Sequence, residues 1–148
     1  MIATVAEVHA TIEARLRTVG QRYTPKRRAL VEVLAAAPTP PALPDIVAAG
    51  GTALPHSSVY RNLAVLEQAG VVRRIITEGE FARFELTEDL TAHHHHLICS
   101  SCGRVEDVTV PAAFETTMDR ALDRVSRRTG FATISHRLDL IGTCRACA

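Results

Sequence analysis

The sequence predicts an α+β fold in two units, and three observations carry that expectation. Apolar residues recur at helical spacing through roughly the first 70 residues. Two alternating runs then flank a glycine turn, which reads as a hairpin. After residue 88 the pattern changes to strand-like segments around one long amphipathic helix. With 148 residues, 47% of them hydrophobic and 22% charged, the chain can fill one ordinary domain or two small ones. No apolar run approaches the roughly 18 residues of a membrane span. The opening Met1-Ile2-Ala3-Thr4 has no basic region ahead of an apolar stretch, so a cytoplasmic chain with reduced thiols is expected.

Each element has a local cause. Val5, Val8, Ile12, Leu16 and Val19 mark one helical face, closed by Gly20. Thr24-Pro25 starts the next helix, because Thr caps and Pro tolerates a first turn whose N–H is unpaired anyway. That helix runs to about Ala37 with Leu30, Val33 and Leu34 inward, and Pro38-Thr39-Pro40-Pro41 is a loop. A short helix over Pro44–Ala49 stops at Gly50-Gly51. His56-Ser57-Ser58 offers an N-cap for a helix from Ser58 to Ala69 that buries Val59, Leu63, Leu66 and Ala69, with Gly70 closing it. Val71–Thr77 and Phe81–Leu86 are the hairpin strands, turning at Glu78-Gly79-Glu80. This order predicts a winged helix-turn-helix over residues 1–88. In residues 89–148, strands are expected at His93–Cys99, Arg104–Val110 and Phe131–Ile141. A helix opens at Pro111, aligns Phe114, Met118, Ala121, Leu122 and Val125 on one face, and ends at Gly130. A unit this small needs a metal, a partner copy or both.

The net charge of +1 hides an uneven distribution. Arg15, Arg17, Arg22, Lys26, Arg27 and Arg28 form a run without an acid, while residues 78–89 hold five acids against Arg83 alone. A basic run beside helices suits phosphate contact, although such runs are commonly solvated faces. Ser57, Ser58, Tyr60, Arg61 and Asn62 lie at the N-terminal end of the helix before the hairpin, the part of a recognition helix that reaches base edges. The bland alternative packs Tyr60 at the domain edge and pairs Arg61 with Glu67 or Asp45.

The strongest local signal is metal-ligating. Cys99-x-x-Cys102 and Cys144-x-x-Cys147 are two knuckles that complete a closed tetrahedral site of four cysteines, which suits structural Zn2+. His93-His94-His95-His96 precedes Cys99. Side chains alternate along a strand, so His93 and His95 face one way and His94 and His96 the other. One run then serves two sites. His136 and Glu115 can complete one of them, and Glu85 and Asp107 the other. Taken singly, His136 reads as a hydrogen-bonded core histidine, and Glu115 and Glu85 as surface carboxylates.

Arg22-x-Thr24-x-x-Arg27, Ser58-Val59-Tyr60-Arg61-Asn62-Leu63, Arg83-Phe84-Glu85-Leu86, the histidine run leading to CxxCG, and Gly142-x-Cys144-x-x-Cys147 occur in one order. In that order the chain closely resembles the ferric uptake regulator family over nearly its whole length. The resemblance implies a homodimeric, metal-responsive repressor of double-stranded DNA operators, with a winged-helix domain and an α+β dimerisation domain. It assigns structural Zn2+ to Cys99, Cys102, Cys144 and Cys147, and a sensing site to Glu85, His94 and His96. An acid at the position of Asp107 joins that site in the peroxide-sensing branch. A second site falls on His93, His95, Glu115 and His136. Arg22, Arg27, Ser57, Ser58, Tyr60 and Arg61 fall on the DNA-contacting positions. The regulatory ion is expected to be Fe2+, Zn2+ or Mn2+.

The chain departs from the family in two respects. Many members carry a sensing histidine just before the third helix, where this chain has Pro38-Thr39-Pro40-Pro41, so the sensing site is expected to use fewer protein ligands, to take a different one such as Asp107, Glu88 or Asp89, or to differ in selectivity. The helix bearing Glu115 also looks about one turn longer than usual. A metal hydrolase is the rival reading, but no HExxH and no marked nucleophile occur. A purely structural zinc module is the other, and it leaves the basic run and the Ser57–Asn62 face without a role.

Overall fold

The computed structural model describes residues 4–148, so Met1, Ile2 and Ala3 of the opening stretch lie outside the described residues. Helix α1 (Val5–Thr18) opens on a capping box. The Glu7 amide donates to the Thr4 hydroxyl, and the Glu7 carboxylate accepts from the Thr4 amide. Helix α2 (Pro25–Ala36) starts behind Thr24 with proline in its first turn, as the sequence predicts. Helix α3 (Leu43–Gly50) is one residue longer at each end than expected. Helix α4 (His56–Gln68) corrects the expected start. His56-Ser57-Ser58 forms its first turn rather than its cap, because Pro55 is the N-cap and the Ser58 hydroxyl donates back to the Pro55 carbonyl at 2.9 Å.

Strands β1 (Val72–Ile75) and β2 (Arg83–Leu86) pair antiparallel, with Arg73 opposite Glu85 and Arg74 opposite Phe84. Both are shorter than the alternation suggests. Ile12, Leu16, Leu30, Leu34, Ile46, Val59, Leu63, Leu66, Phe84 and Leu86 close one core between the helices and the hairpin. Each fully buried aliphatic side chain contributes about 1.5–3 kcal/mol. A single 3-10 turn, Glu88–Leu90, follows β2, and Leu90 packs into this core.

Strand β3 (His95–Cys99) is central in a three-stranded sheet. It lies antiparallel to β4 (Val105–Val108) and parallel to β5 (Asp139–Gly142). Helix α5 (Ala112–Thr129) connects β4 to β5 and ends at Gly130, whose φ of 69° puts it in the left-handed region that glycine enters without a Cβ penalty. One expectation fails here. The predicted strand Phe131–Ile141 is regular only from Asp139, and Phe131 and Ile134 stand 71% and 99% exposed with no neighbour to pair. The apolar face of α5 is not buried in its own chain. Phe114 and Val125 are about half exposed, Met118 and Leu122 are half-buried, and no α5 residue is fully buried.

The wing loop between β1 and β2 rests on the first cysteine knuckle. A Cβ on Gly79 would lie 2.8 Å from the Gly103 Cα, and one on Gly103 would lie 2.7 Å from Thr77 Oγ1. Arg83 Nε donates to the Gly103 carbonyl at 3.3 Å. No described helix is long and apolar enough to cross a membrane.

Candidate metal centres and nucleic-acid interface

Three groups of potential ligands converge, and in each the ligand atoms lie within 4.8 Å of one another. The first is Cys99, Cys102, Cys144 and Cys147. The β3–β4 turn presents the first pair, and the chain after β5 brings back the second. The Cys144 amide donates to Cys99 Sγ at 3.3 Å, and Cys102 Sγ lies 3.9 Å from Cys144 Sγ. Sulfurs on a tetrahedral Zn2+ stand about 3.8 Å apart, given Zn–S of about 2.3 Å. All four cysteines are free. Backbone amides of Cys144 and Cys102 hold the Cys99 thiol down to about 6, while hydrogen bonding among the crowded sulfurs pushes Cys147 up to about 12. Four thiols this close ionise together only around a cation, so this donor set fits zinc.

The second group is Glu85, His94, His96 and Asp107. Register assembles it, because Asp107 stands opposite His96 across β3–β4 and Glu85 ends the wing hairpin. Glu85 Oε2 lies 3.1 Å from His94 Nε2 and 3.0 Å from His96 Nε2. The Asp107 carboxylate approaches both imidazoles at 4.0 Å. His96 Nδ1 contacts Asp139 Oδ1 at 3.1 Å, which turns Nε2 into the cluster. Burial alone would raise the Glu85 carboxyl. Hydrogen bonds from His96 and Arg73, with the charge of Arg73, outweigh it and hold the group at about 2. Burial pulls His94 and His96 down, yet hydrogen bonds and charge from Glu85, with the Ala92 carbonyl for His94 and Asp139 for His96, leave both raised. Desolvation also raises Asp107. Two nitrogens and two carboxylates form a mixed set that fits a divalent first-row ion. A cavity of about 300 Å³ separates this group from the Pro38–Pro41 loop and is lined by Pro40, Pro41, Glu85, His94 and Asp107.

The third group is His93, His95, Glu115 and His136. His95 Nε2 meets Glu115 Oε1 at 2.6 Å, and His93 Nε2 lies 3.4 Å from the same oxygen. His136 Nε2 is buried without a hydrogen-bond partner, although Glu115 Oε2 is 3.5 Å away. A buried imidazole nitrogen left unpaired beside a carboxylate and two further imidazoles fits a ligand atom. Glu115, in the first turn of α5, joins this group.

Alternation of the histidine run therefore carries through, with His93–His95 and His94–His96 as the two edge-to-face pairs, although only His95 and His96 are strand residues. Of the three acids offered as substitutes, Asp107 lies in the Glu85 group. Glu88 and Asp89 do not join it. Glu88 contacts Arg73 and His93, and Asp89 pairs with Arg15. Arg73 and Asp139 are the residues the sequence reading missed. Cross-strand position betrays both, since Arg73 faces Glu85 and Asp139 faces His96.

On the helical side Tyr60 is 57% exposed, and Arg61 and Ser57 are exposed. The suggested partners of Arg61 are engaged elsewhere: Glu67 binds Arg74 at 2.8 Å, and Asp45 lies 3.4 Å from Arg83. Arg22 is exposed, whereas Arg27 turns inward to the Arg22 carbonyl, Gln21 and Asn62. Ser58 is half-buried against Pro55. Arg15 donates to the Gly70 carbonyl and to Asp89, so, like Arg27, it turns away from solvent, here tying α1 to the turn after β2. His9, which looks unpaired in the sequence, contacts the Tyr23 hydroxyl at 2.7 Å.

A helical unit with a hairpin wing, joined to a sheet unit carrying three ligand clusters, defines the class of metal-responsive winged-helix regulators of transcription. The chain belongs to the ferric uptake regulator family, which it matches over residues 18–141. It is 32% identical over 136 residues to the peroxide operon regulator of Bacillus subtilis strain 168, covering 90% of this chain and 88% of that one. It is 31% identical over 138 residues to the peroxide-responsive repressor PerR of Staphylococcus aureus, covering 90% and 87%. In fold it is similar to the Helicobacter pylori ferric uptake regulator Fur, with a TM-score of 0.73 at 22% identity over 99% of this chain and 95% of that chain.

Proposed function

We propose that this regulator is a homodimeric, cytoplasmic repressor that binds a palindromic double-stranded DNA operator when a divalent ion occupies the Glu85–His94–His96–Asp107 cluster. The convergence of Glu85 with His94 and His96 carries this reading, because the carboxylate ends the wing hairpin while both imidazoles belong to the sheet unit. When bound, Fe2+, Mn2+ or Zn2+ supplies a positive centre for those donors. Glu85, fixed to β2, and His96, fixed to β3, then allow fewer relative orientations of residues 1–88 and 89–148. A dimer held so presents two α4 helices to successive major grooves. Tyr60, Arg61 and Ser57 are the base- and phosphate-contacting groups of this reading, with Arg22 on the backbone and Arg27 and Ser58 buttressing the helix end.

Cys99, Cys102, Cys144 and Cys147 hold structural Zn2+ in this proposal, and their closed set leaves no position for substrate. His93, His95, Glu115 and His136 form the second regulatory site. The exposed apolar face of α5, with Leu140 and Ile141 of β5, supports a partner copy, since 48% and 73% exposure of these side chains is costly in water. The test is a gel shift on the DNA upstream of the chain's own coding sequence, using zinc-loaded protein with and without Mn2+ or Fe2+. Retardation that appears or strengthens with the ion supports the proposal, and no retardation under any condition refutes it.

A second reading, response to peroxide, is favoured by Asp107, whose carboxylate approaches both imidazoles of the cluster. The two peroxide regulators of similar sequence point the same way. Hydrogen peroxide would then abolish operator binding by the Fe2+-loaded protein but not by the Mn2+-loaded one. Mass spectrometry would find one added oxygen atom on the peptide carrying His94 and His96.

A further inference from the structure

The Glu85 cluster already contains a cation. Arg73, directly opposite Glu85 on the wing hairpin, places Nε 2.7 Å from Glu85 Oε1 and adds Nη2 to the same oxygen. The two imidazoles take the other oxygen, Oε2. Arg73 Nη1 also reaches Glu88 Oε1 at 3.5 Å, and Glu88 Oε2 contacts His93 Nδ1 at 3.0 Å. The side chains of Arg73, Glu85 and Glu88 are at most 20% exposed, so these charges act across a poorly screened space.

We infer that Arg73 is a resident counter-cation that sets the metal threshold of the cluster. It engages one Glu85 oxygen, so the carboxylate has a single oxygen to offer, and its charge opposes any cation seated beside Oε2. The inference rests on the cluster being the regulatory metal site. Glu88 gives Arg73 a second carboxylate to lean on when Glu85 is drawn towards the imidazoles. Because the other Glu88 oxygen orients His93, the same guanidinium spans from one histidine group to the other. Arg73 is thus a positioning residue that lowers affinity and confines Glu85 to one-oxygen binding. Removing its charge should tighten binding most for Mn2+, which accepts oxygen-rich coordination.

The test titrates Mn2+ into full-length, zinc-loaded protein by chelator competition at fixed pH, for wild type, Arg73→Gln, Arg73→Lys and His96→Ala. Charges within about 4–6 Å commonly move an equilibrium by one to three powers of ten, so Arg73→Gln should bind Mn2+ at least about tenfold more tightly. Arg73→Lys should return most of the wild-type value, which a loss of packing alone would not do. In the absence of Mn2+ the melting temperature of Arg73→Gln should fall, since Glu85 loses its partner, while the rise on adding Mn2+ should exceed that of wild type. Unchanged or weaker Mn2+ binding by Arg73→Gln, with His96→Ala clearly weakened, overturns the role of Arg73. Equal Mn2+ affinity of His96→Ala and wild type instead overturns the assignment of the cluster itself. Should Arg73→Gln lose its zinc or its helical circular dichroism, Glu88→Gln decides the matter. It leaves Arg73 only Glu85 to hold and must weaken Mn2+ binding, and unchanged binding refutes the inference.

Discussion

Binding of a divalent ion at Glu85, His94, His96 and Asp107 should depend steeply on pH, with a sign fixed by the site's electrostatics. A metal takes the neutral imidazole, so each protonated histidine must release its proton. Both histidines are raised above 6.5, because the Ala92 carbonyl and Glu85 for His94, and Glu85 and Asp139 for His96, outweigh the opposing effect of burial. Glu85, held at about 2, remains ionised throughout and adds nothing to the slope above pH 5. Affinity is therefore full above the raised histidine values and falls as pH drops through them. Below both, two protons are displaced per ion, so the apparent affinity falls by up to about a hundredfold per pH unit, or about 2.7 kcal/mol. The metal-free protein should show the reverse trend in stability. A histidine raised by folding stabilises below its unfolded value near 6.5, and that contribution is lost as pH rises through the folded value. Chelator-buffered Mn2+ titrations from pH 5.5 to 8, paired with melting curves, read both effects. Binding that is flat across this range, or that strengthens towards acid, would refute the reasoning.

Three further outcomes follow. Arg61→Ala and Tyr60→Ala should weaken operator binding by about 1–3 kcal/mol each in fluorescence anisotropy, with melting temperature and metal content unchanged, because both side chains are exposed on α4. Val125→Asp should convert the proposed dimer to monomer in analytical ultracentrifugation, since Val125 is 46% exposed on the unpartnered face of α5. Gly103→Ala should loosen the wing from the cysteine knuckle, because φ is +69° and the new Cβ would sit 2.6 Å from the Gly79 Cα. Faster amide exchange at residues 77–81 would register that release, while unchanged exchange would contradict it.

Local rules made much of this molecule legible. The steps of three and four through Ile12 and Leu16, Leu30 and Leu34, and Val59, Leu63 and Leu66 select the residues that close the helical core. The two-residue period of a strand separates His93 and His95 from His94 and His96 before any coordinates are known. What stayed hidden depends on chain segments meeting. Arg73 reads as an ordinary strand residue until the hairpin register sets it against Glu85, and Asp139 until the parallel pairing sets it against His96. Periodicity also reports that a face is apolar without saying what covers it, as the exposed face of α5 shows. Phe131–Ile141 misled for a related reason. Its alternating apolar residues satisfy a strand pattern, but hydrogen-bonded pairing with β3 reaches only Leu138 to Gly142.

In the proposed function, DNA affinity is coupled to ion binding at the cluster joining β2 to β3. Operator affinity of the zinc-loaded protein, measured by anisotropy with and without saturating Mn2+ for wild type and His96→Ala, tests it most directly. Coupling of the usual size predicts that wild type tightens by about 5- to 150-fold on adding Mn2+ while His96→Ala does not respond. Equal affinity of wild type in both conditions, or an undiminished response in His96→Ala, would contradict the account.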